Sequence, residues 1–530
     1  MVRPYRSADP RREKGGALLV ALLFFLLFVS VGLVLLAAVG QAGILGAKSE
    51  EFSRAESAAE DGLTWFDRAL HDELSGLGNV YPDTAEPRIR EVLARISPPP
   101  EMGTRYETDL QPVPGESGSR SYLLTVTSTG SVRGSEVALT RTYLLTTVAE
   151  QFLYALVTDG DLTLNGAPYV VGDVLVGGKL TTSPYAQYIW GRQRDHLVGY
   201  GVVRGSLSTP RTDFVLVDER KSQTVLPLTS DNLARGFVQP PTLAPSRAKA
   251  VPLDVQGEVS RARANVPPTA DMQVLPCPWW SSTCELSKDA TYGKGLWVKG
   301  NLRVKGSGTK VVVGGNLLVD GSLTVDGGAT LEVRGNVAYV KQDAAVKGKV
   351  ELSPGGEAYV GGKLDATDAY LRGTFYVAGN ATLLEHLYGR STIYTGGAGE
   401  VHEFEMQKDS FLVLLAEGPV RVYNNNLFQD TPLVVYAYLY SNADLTLYGV
   451  GSHLELHGGI AGKNVTLNVA KGKTRDGGKD VSFEEPQTEI SPERSRLKVL
   501  YDESMILHPP EGIDRPGPIR AKVLSTRYGR

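Results

Sequence analysis

An uncharged apolar run, ALLVALLFFLLFVSVGLVLLAAV over residues 17–39, follows a leader crowded with Arg3, Arg6, Arg11, Arg12 and Lys14. As a helix, its 23 residues rise about 35 Å, enough to cross a hydrocarbon core of about 30 Å with some tilt. Positive charge stays on the cytoplasmic side, so the leader is expected inside and the remainder of the chain outside. Three readings fit the run. A cleaved secretory signal is one, although its apolar core is normally about 7–15 residues; Ala38-Val39-Gly40-Gln41-Ala42 mimics a cleavage site. A single-pass anchor is the second, and the first half of a longer helix is the third.

The third reading draws on the residues beyond the run. No proline or turn signal separates it from residues 48–70, where Phe52, Ala55, Ala59, Leu63, Phe66 and Leu70 recur at steps of three and four. That spacing draws one apolar stripe along a helix, with Glu50, Glu51, Glu56, Glu60 and Asp67 mostly elsewhere. A second helical stretch is expected near residues 87–96, then the loop Ser97-Pro98-Pro99-Pro100. SYLLTVTSTGSVRG (residues 121–134) and VALTRTYLLTTV (residues 137–148) are rich in β-branched and aromatic residues. They read as a hairpin, broken at Thr129-Gly130 and Gly134.

These residues resemble the PilX-like type IV minor pilins. The likeness lies in the Lys14-Gly15-Gly16 junction, the apolar helix that turns amphipathic, the stretch AESAAEDGL (residues 55–63), and the Tyr122-x-x-Thr-x-Thr-Ser-Thr-Gly130 strand. It implies an α+β pilin fold, a long N-terminal helix plus an antiparallel sheet. It also implies a prepilin peptidase cutting after Gly15 and a methylated Gly16, with a cut after Gly16 as the alternative. The implied partners are other type IV pilins and minor pilins, and the inner membrane through the helix. Before assembly the chain is expected as a single-pass inner-membrane protein, and afterwards in the periplasm and at the cell surface. Major pilins of this type carry Glu at the fifth mature position, where this chain has Val20, or Ala21 for the later cut. A buried carboxylate is tolerable only when paired, in that family with a neighbouring subunit's terminal amine. Its absence implies a subunit at the pilus tip.

Further along, GDVLVGGKL (residues 172–180) and GEAYVGGKL (residues 356–364) are near copies, and Gly-polar-aliphatic-x-Val units recur around residues 295–304, 315–325, 335–340 and 379–383. Short alternating strands with glycine corners cannot bury an apolar face alone, but stacked coils share one core. The expectation is a mainly β chain outside the membrane with an inserted β-solenoid. The boundaries read as leader 1–15, transmembrane half-helix 16–47, pilin-like head 48–158, solenoid 159–425 with an excursion at 181–290, and closing head strands with a C-terminal tail at 426–530. Within the last part, Val499 to Tyr501 is expected to return to the head sheet, and residues 471–492 to form a mobile loop. The two GGK sequences echo a phosphate-binding loop, but Leu180 and Leu364 stand where a Ser or Thr would hold magnesium.

Net charge over the chain is −4, which hides an asymmetry. Residues 190–265 hold eleven basic and seven acidic residues, whereas residues 48–150 hold ten and seventeen. A basic patch binds polyphosphate without reading sequence, by releasing counterions. Arg192, Arg194, Arg220, Lys221, Arg247 and Lys249 are therefore the candidate double-stranded DNA contacts, with Tyr185, Tyr188, Trp190, Trp279 and Trp280 available to stack on exposed bases. Cys277 and Cys284 are the only cysteines; outside the cytoplasm they are expected to form a disulfide. His453-Leu-Glu-Leu-His457 alternates as a strand, unlike the helical metalloprotease motif, and no metal, cofactor or enzymatic activity is expected. The layout resembles large competence minor pilins, implying a tip subunit that binds extracellular DNA non-specifically through the solenoid for natural transformation. A pilus-tip adhesin and a pseudopilin priming a secretion fibre are the alternatives.

Overall fold

The computed structural model describes residues 14–81, 84–113, 121–188, 194–244, 252–423, 428–502, 512–513 and 517–528. It opens with a single helix, Lys14–Ser75, of 62 residues, about 93 Å long at 1.5 Å per residue. The apolar half is long and apolar enough to cross a membrane. Leu18, Phe25 and Leu36 stand exposed, covered by no other described part of the chain, a surface suited to lipid or to neighbouring helices. In the amphipathic half Ala55, Ala59, Leu63, Phe66 and Leu70 are all buried, and the stripe runs on to Leu74. Phe52 departs from the expected stripe, being 54% exposed, because the sheet that covers the helix begins a turn later.

That sheet has four antiparallel strands in the order Thr104–Pro112, Ser121–Val132, Ser135–Thr146 and Arg520–Tyr528. Its hairpin turns at Arg133 (φ 48°) and Gly134 (φ 92°), the left-handed pair that a two-residue connection demands. Thr129-Gly130, expected as a break, lies inside a continuous strand. Asp67 reaches across the helix to accept hydrogen bonds from Arg141 Nη1 and Tyr143 Oη, both at 2.5 Å. Burial, then that neighbouring carboxylate, hold the Tyr143 hydroxyl far above its ordinary pKa. The helix Ala85–Arg95 closes this core with Ala85, Ile89 and Val92.

The solenoid has about 14 turns, mostly of three short parallel strands each. On one side the strands Gly295–Val298, Leu317–Val319, Val337–Val340 and Glu357–Val360 lie directly over one another. Inward positions are Val and Leu, which form one continuous buried column. Each such side chain contributes about 1.5–3 kcal/mol when fully buried. At the corners, asparagine and aspartate carry the coil-to-coil bonding. Asn301 Oδ1 accepts from Ser322 N–H (2.9 Å), Asn316 from Val337 (3.0 Å), Asp343 from Lys363 (2.9 Å) and Asn380 from Ala398 (2.9 Å). The recurring Gly-Asn of the sequence is this corner.

Coil order does not follow chain order. The chain joins the stack at Leu156–Thr158, which pairs on one flank with Val174–Val176 and on the other with residues 460–462 of the strand Leu454–Val469. From that first coil the same side continues through three pairings to Thr242–Leu243 at one end. In the other direction ten successive pairings lead to Met272–Leu275. At about 4.8 Å per strand the second arm is roughly 48 Å long. The return between the two ends runs along the outside of the stack. There Val255, Val259 and Ala262 of the helix Val255–Ala264 pack against the in-register column Tyr339, Tyr359, Tyr376 and Tyr394.

Several boundaries are corrected by this pairing. The expected excursion at 181–290 contains a further coil, since Val202–Arg204, Ser206–Ser208 and Asp213–Val217 stack on the coil before them, and Met272–Tyr292 already belongs to the long arm. The solenoid does not stop at 425. Leu433–Gly449 and Leu454–Val469 each span more than one side of a coil, and Leu497–Tyr501 pairs with Leu454–Gly458 and with Tyr169–Val171. Val499 to Tyr501 therefore do not return to the head, because the third side of the first coil needs a parallel neighbour and this segment supplies it. Arg520–Tyr528 closes the head sheet instead. The junction is buried: Phe152 packs on Tyr438 with ring centroids 4.4 Å apart, and Lys522 Nζ donates to Leu153 O at 2.6 Å.

Residues 471–492, expected as a mobile loop, are anchored at both ends. Lys471 is buried and its Nζ donates to Ile490 O at 3.0 Å. Arg496 is fully buried and donates to the carbonyls of Ser452 (3.0 Å), Gly472 (3.1 Å) and Gln429 (3.1 Å).

Candidate nucleic-acid interface and the two ends of the solenoid

The short arm carries three of the six basic residues singled out from sequence, Arg194, Arg220 and Lys221. Two hairpins project there, Tyr185–Gln187 with Asp195–Leu197 and Asp213–Val217 with Gln223–Pro227. Lys221 sits in the second turn with φ 61°. Its Nζ bonds Asp195 Oδ2 at 2.8 Å and lies 4.9 Å from the centre of the Tyr185 ring. Tyr185 Oη in turn donates to Glu219 O at 2.7 Å, which ties the two hairpins together. The bond to Asp195 raises the pKa of Lys221. Arg194 Nη1 faces Asp480 Oδ2 at 3.5 Å. Arg220 is exposed and makes no ion pair among the described residues. Arg194, Arg220 and Lys221 thus share one end of the solenoid, whereas Arg192, Arg247, Lys249 and Trp190 lie outside the described residues.

The charge excess counted along residues 190–265 is mostly offset by acids from elsewhere in the chain. Asp480 takes Arg194, Glu493 takes Arg204 at 2.9 Å, and Glu357 takes Arg261 at 2.7 Å. Among the described residues of that segment Arg220, Arg235 and Arg263 are left without an ion pair. Exposed pairs of this kind contribute about 0–1 kcal/mol each. A phosphate can therefore replace Asp480 or Asp195 at small cost.

At the long arm's end a disulfide joins Cys277 and Cys284. It closes a loop between Met272–Leu275 and Thr283–Leu286, on which Trp279 is 92% exposed and Trp280 72%. The two rings meet edge to face at 5.4 Å. One coil above, Gly300 is held at φ 153°, and a Cβ there would meet Ser282 O at 2.4 Å and Cys277 Sγ at 2.8 Å. Only glycine lets the disulfide loop pack this close. Lys299 beside it lies 4.4 Å from the Trp297 ring, whose Nε1 donates to Asp320 at 2.8 Å.

The His453 to His457 stretch is structural. Glu455 Oε1 and His457 Nε2 pair at 2.9 Å on the outer face, with Lys498 at 3.4 Å from Glu455. His453 is turned into the corner beside Arg496, where burial and then that guanidinium hold its pKa down to about 4. The fold accommodates neutral His453, while the unfolded chain titrates near 6.5. Its contribution is complete above about pH 6.5 and is lost as pH falls through that value toward 4, by up to about 3 kcal/mol. The chemical-denaturation midpoint is expected to fall more between pH 7 and pH 4.5 in the native chain than in a His453→Gln chain. Equal falls would remove His453 from the account.

Sequence reading missed Arg496 and Lys471, which look like ordinary loop cations. It also missed the tyrosine column, whose members are separated by 17 to 20 residues and show only once the coil register is known. No family model matches the chain, and no curated protein matches it. Among solved structures, the competence-associated pilin ComZ from Thermus thermophilus is similar at 12% identity and a TM-score of 0.24, over 90% of this chain and 97% of that one. A likeness of that size carries no argument about fold or function.

Proposed function

We propose that the chain is a minor pilin that joins a type IV pilus through its long helix, sits at the tip, and uses the solenoid to hold extracellular double-stranded DNA for natural transformation. The observation that carries the pilin reading is the 62-residue helix, naked along its apolar half and stapled to a four-stranded antiparallel sheet along the other. A body built this way can give its apolar half to a membrane or to a bundle of like helices without unfolding anything else. Prepilin peptidase processing at Gly15, or at Gly16, belongs to this reading. So do the tip position drawn from Val20 and the partnership with other pilins.

The DNA reading rests on Arg194, Arg220 and Lys221 gathered at the short arm, where Arg194 and Lys221 are held by ion pairs that phosphate can exchange and Arg220 makes none among the described residues. The full chain in detergent is expected to retain duplex DNA at low salt and release it steeply as salt rises. Each phosphate contact adds about −0.9 to the slope of log K against log salt. Replacing Arg194, Arg220 and Lys221 together by Gln is expected to flatten that slope by about 2 to 3 units. Absence of retention at low salt sinks the DNA reading. Salt-insensitive binding to a surface glycan would favour an adhesin. In cells, a strain lacking the chain should lose DNA uptake; uptake intact with protein export lost would favour a secretion pseudopilin.

A further inference from the structure

The geometry points to a second nucleic-acid contact at the end of the long arm: Trp279 and Trp280 stack on unpaired bases, as at a frayed or single-stranded DNA end, while Lys299 and, farther along the same strand, Lys288 and Lys294 hold phosphates. This inference rests on the DNA reading above but concerns the opposite end of the solenoid.

Four observations converge on it. Trp279 and Trp280 are exposed on a loop clamped by the Cys277–Cys284 disulfide, so their apolar area is kept in water by a rigid support rather than by disorder. Neither indole N–H has a partner among the described residues. The edge-to-face arrangement of the rings at 88° leaves each with a free face.

The second observation is charge. On the coils above, Lys305 pairs with Glu285, Lys310 with Glu332, Lys341 with Asp320, Lys349 with Glu351 and Lys363 with Asp365. Lys288 and Lys294, like Lys347 farther up the arm, make no ion pair among the described residues, and Lys299 rests on the Trp297 ring. The acids at this end are partly engaged, Glu285 by Lys305, and Asp289 Oδ1 as acceptor from the Lys310 backbone N–H at 2.8 Å; Asp271 stays exposed.

Third, Lys299 lies at the corner over the tryptophan loop, and Lys288 and Lys294 flank the strand Ala290–Tyr292 at the other two corners of the end coil, so a single strand stacked on the rings can reach them along its length. Fourth, the rings project from the loop, Trp279 being 92% and Trp280 72% exposed. Exposed aromatic faces with ammonium groups at the corners of the same end of the arm suit a flexible polyanion with flat, stackable bases, and base–aromatic stacking tolerates any sequence. A neutral glycan can stack on the same rings but draws nothing from the lysines.

The test compares two duplexes of equal length, one with single-stranded overhangs and one with both ends closed by hairpins, each titrated against the full chain in detergent at fixed salt. Native protein is expected to hold the overhang duplex roughly five-fold to a hundred-fold more tightly. In Trp279→Ala/Trp280→Ala the ratio should collapse to about 1, and in Trp279→Phe/Trp280→Phe it should be partly restored. Because both rings are exposed, neither variant disturbs the core. Lysines that merely guard an open strand edge would, when changed to Gln, alter aggregation and leave the ratio untouched, which counts against the inference. Equal affinity for the two duplexes, or a preference that survives the alanine variant, overturns it while the DNA reading stands. Retention of neither duplex overturns both.

Discussion

Arg496→Ala is expected to open the joint where the two arms of the solenoid meet, at a cost of about 4 kcal/mol. The guanidinium is fully buried and donates to three carbonyls drawn from three separate segments, at Ser452, Gly472 and Gln429. Among the described residues no carboxylate bonds it directly: Asp430 nearby is held by Arg475 at 2.9 Å and by Lys473 at 3.3 Å. Burial brings the Arg496 pKa down to about 10, so the group is still charged at neutral pH. Each carbonyl left without a donor costs about 1–3 kcal/mol unless water reaches it, and the truncation adds a cavity. Arg496→Met keeps much of the volume without the donors, and is expected to recover only the cavity share. Stacked repeats need not unfold in one step, so the measurement is amide hydrogen exchange by segment. Protection should fall in residues 470–501 and 156–171 and persist in residues 295–352. Unchanged exchange at 470–501 would mean that the corner is held by its apolar contacts alone.

That joint is also where sequence reading ran out. Glycine, polar residue and alternating aliphatics announce a coil, and the coils from residue 295 to residue 383 were legible for that reason. Which coil lies on which is a different question, because similar coils can stack in many orders. The contact of Ile460 with Leu156 is about three hundred residues apart in the chain. Its loop-closure cost grows only logarithmically with that length, so nothing local forbids it and nothing local announces it. The same blindness affected charge. A window of residues counted eleven cations against seven acids, but Asp480, Glu493 and Glu357 arrive from other coils and take three of them. The long helix was the opposite case, since a period of 3.6 names its buried face outright. Only the starting point of the contact, at Ala55 instead of Phe52, depended on where the sheet ends.

Gly130→Val is expected to detach the sheet from that helix while leaving the solenoid intact. A Cβ at residue 130 would meet Ala55 O at 2.1 Å and Ala59 N at 2.7 Å. Both are backbone atoms of a helix, and neither can move aside. Overpacking against side chains usually costs about 1–3 kcal/mol; against two backbone atoms at once the loss should reach or exceed the top of that range. Gly62 provides the control. A Cβ there would meet Ser128 Oγ at 2.5 Å, a hydroxyl that can rotate, and Thr104 Cγ2 at 3.1 Å and Cβ at 3.3 Å, side-chain atoms that need yield only a few tenths of an ångström, while alanine is favoured over glycine by about 1 kcal/mol within a helix. Gly62→Ala should therefore lie within about 1 kcal/mol of the native chain. Limited proteolysis reads the difference. In Gly130→Val, cleavage is expected within residues 53–146 with residues 156–501 still protected, whereas Gly62→Ala should resist as the native chain does. If Gly130→Val proved as resistant as the native protein, the close approach of strand and helix would not be holding the head together. In the proposed fibre this contact has a mechanical role. Among the described residues the apolar half of the helix stays exposed, so load between the fibre and the solenoid passes through the seam between Ala55 and Leu74 and the chain leaving Ser75, and Gly130 is where strand backbone lies directly against helix backbone in that seam.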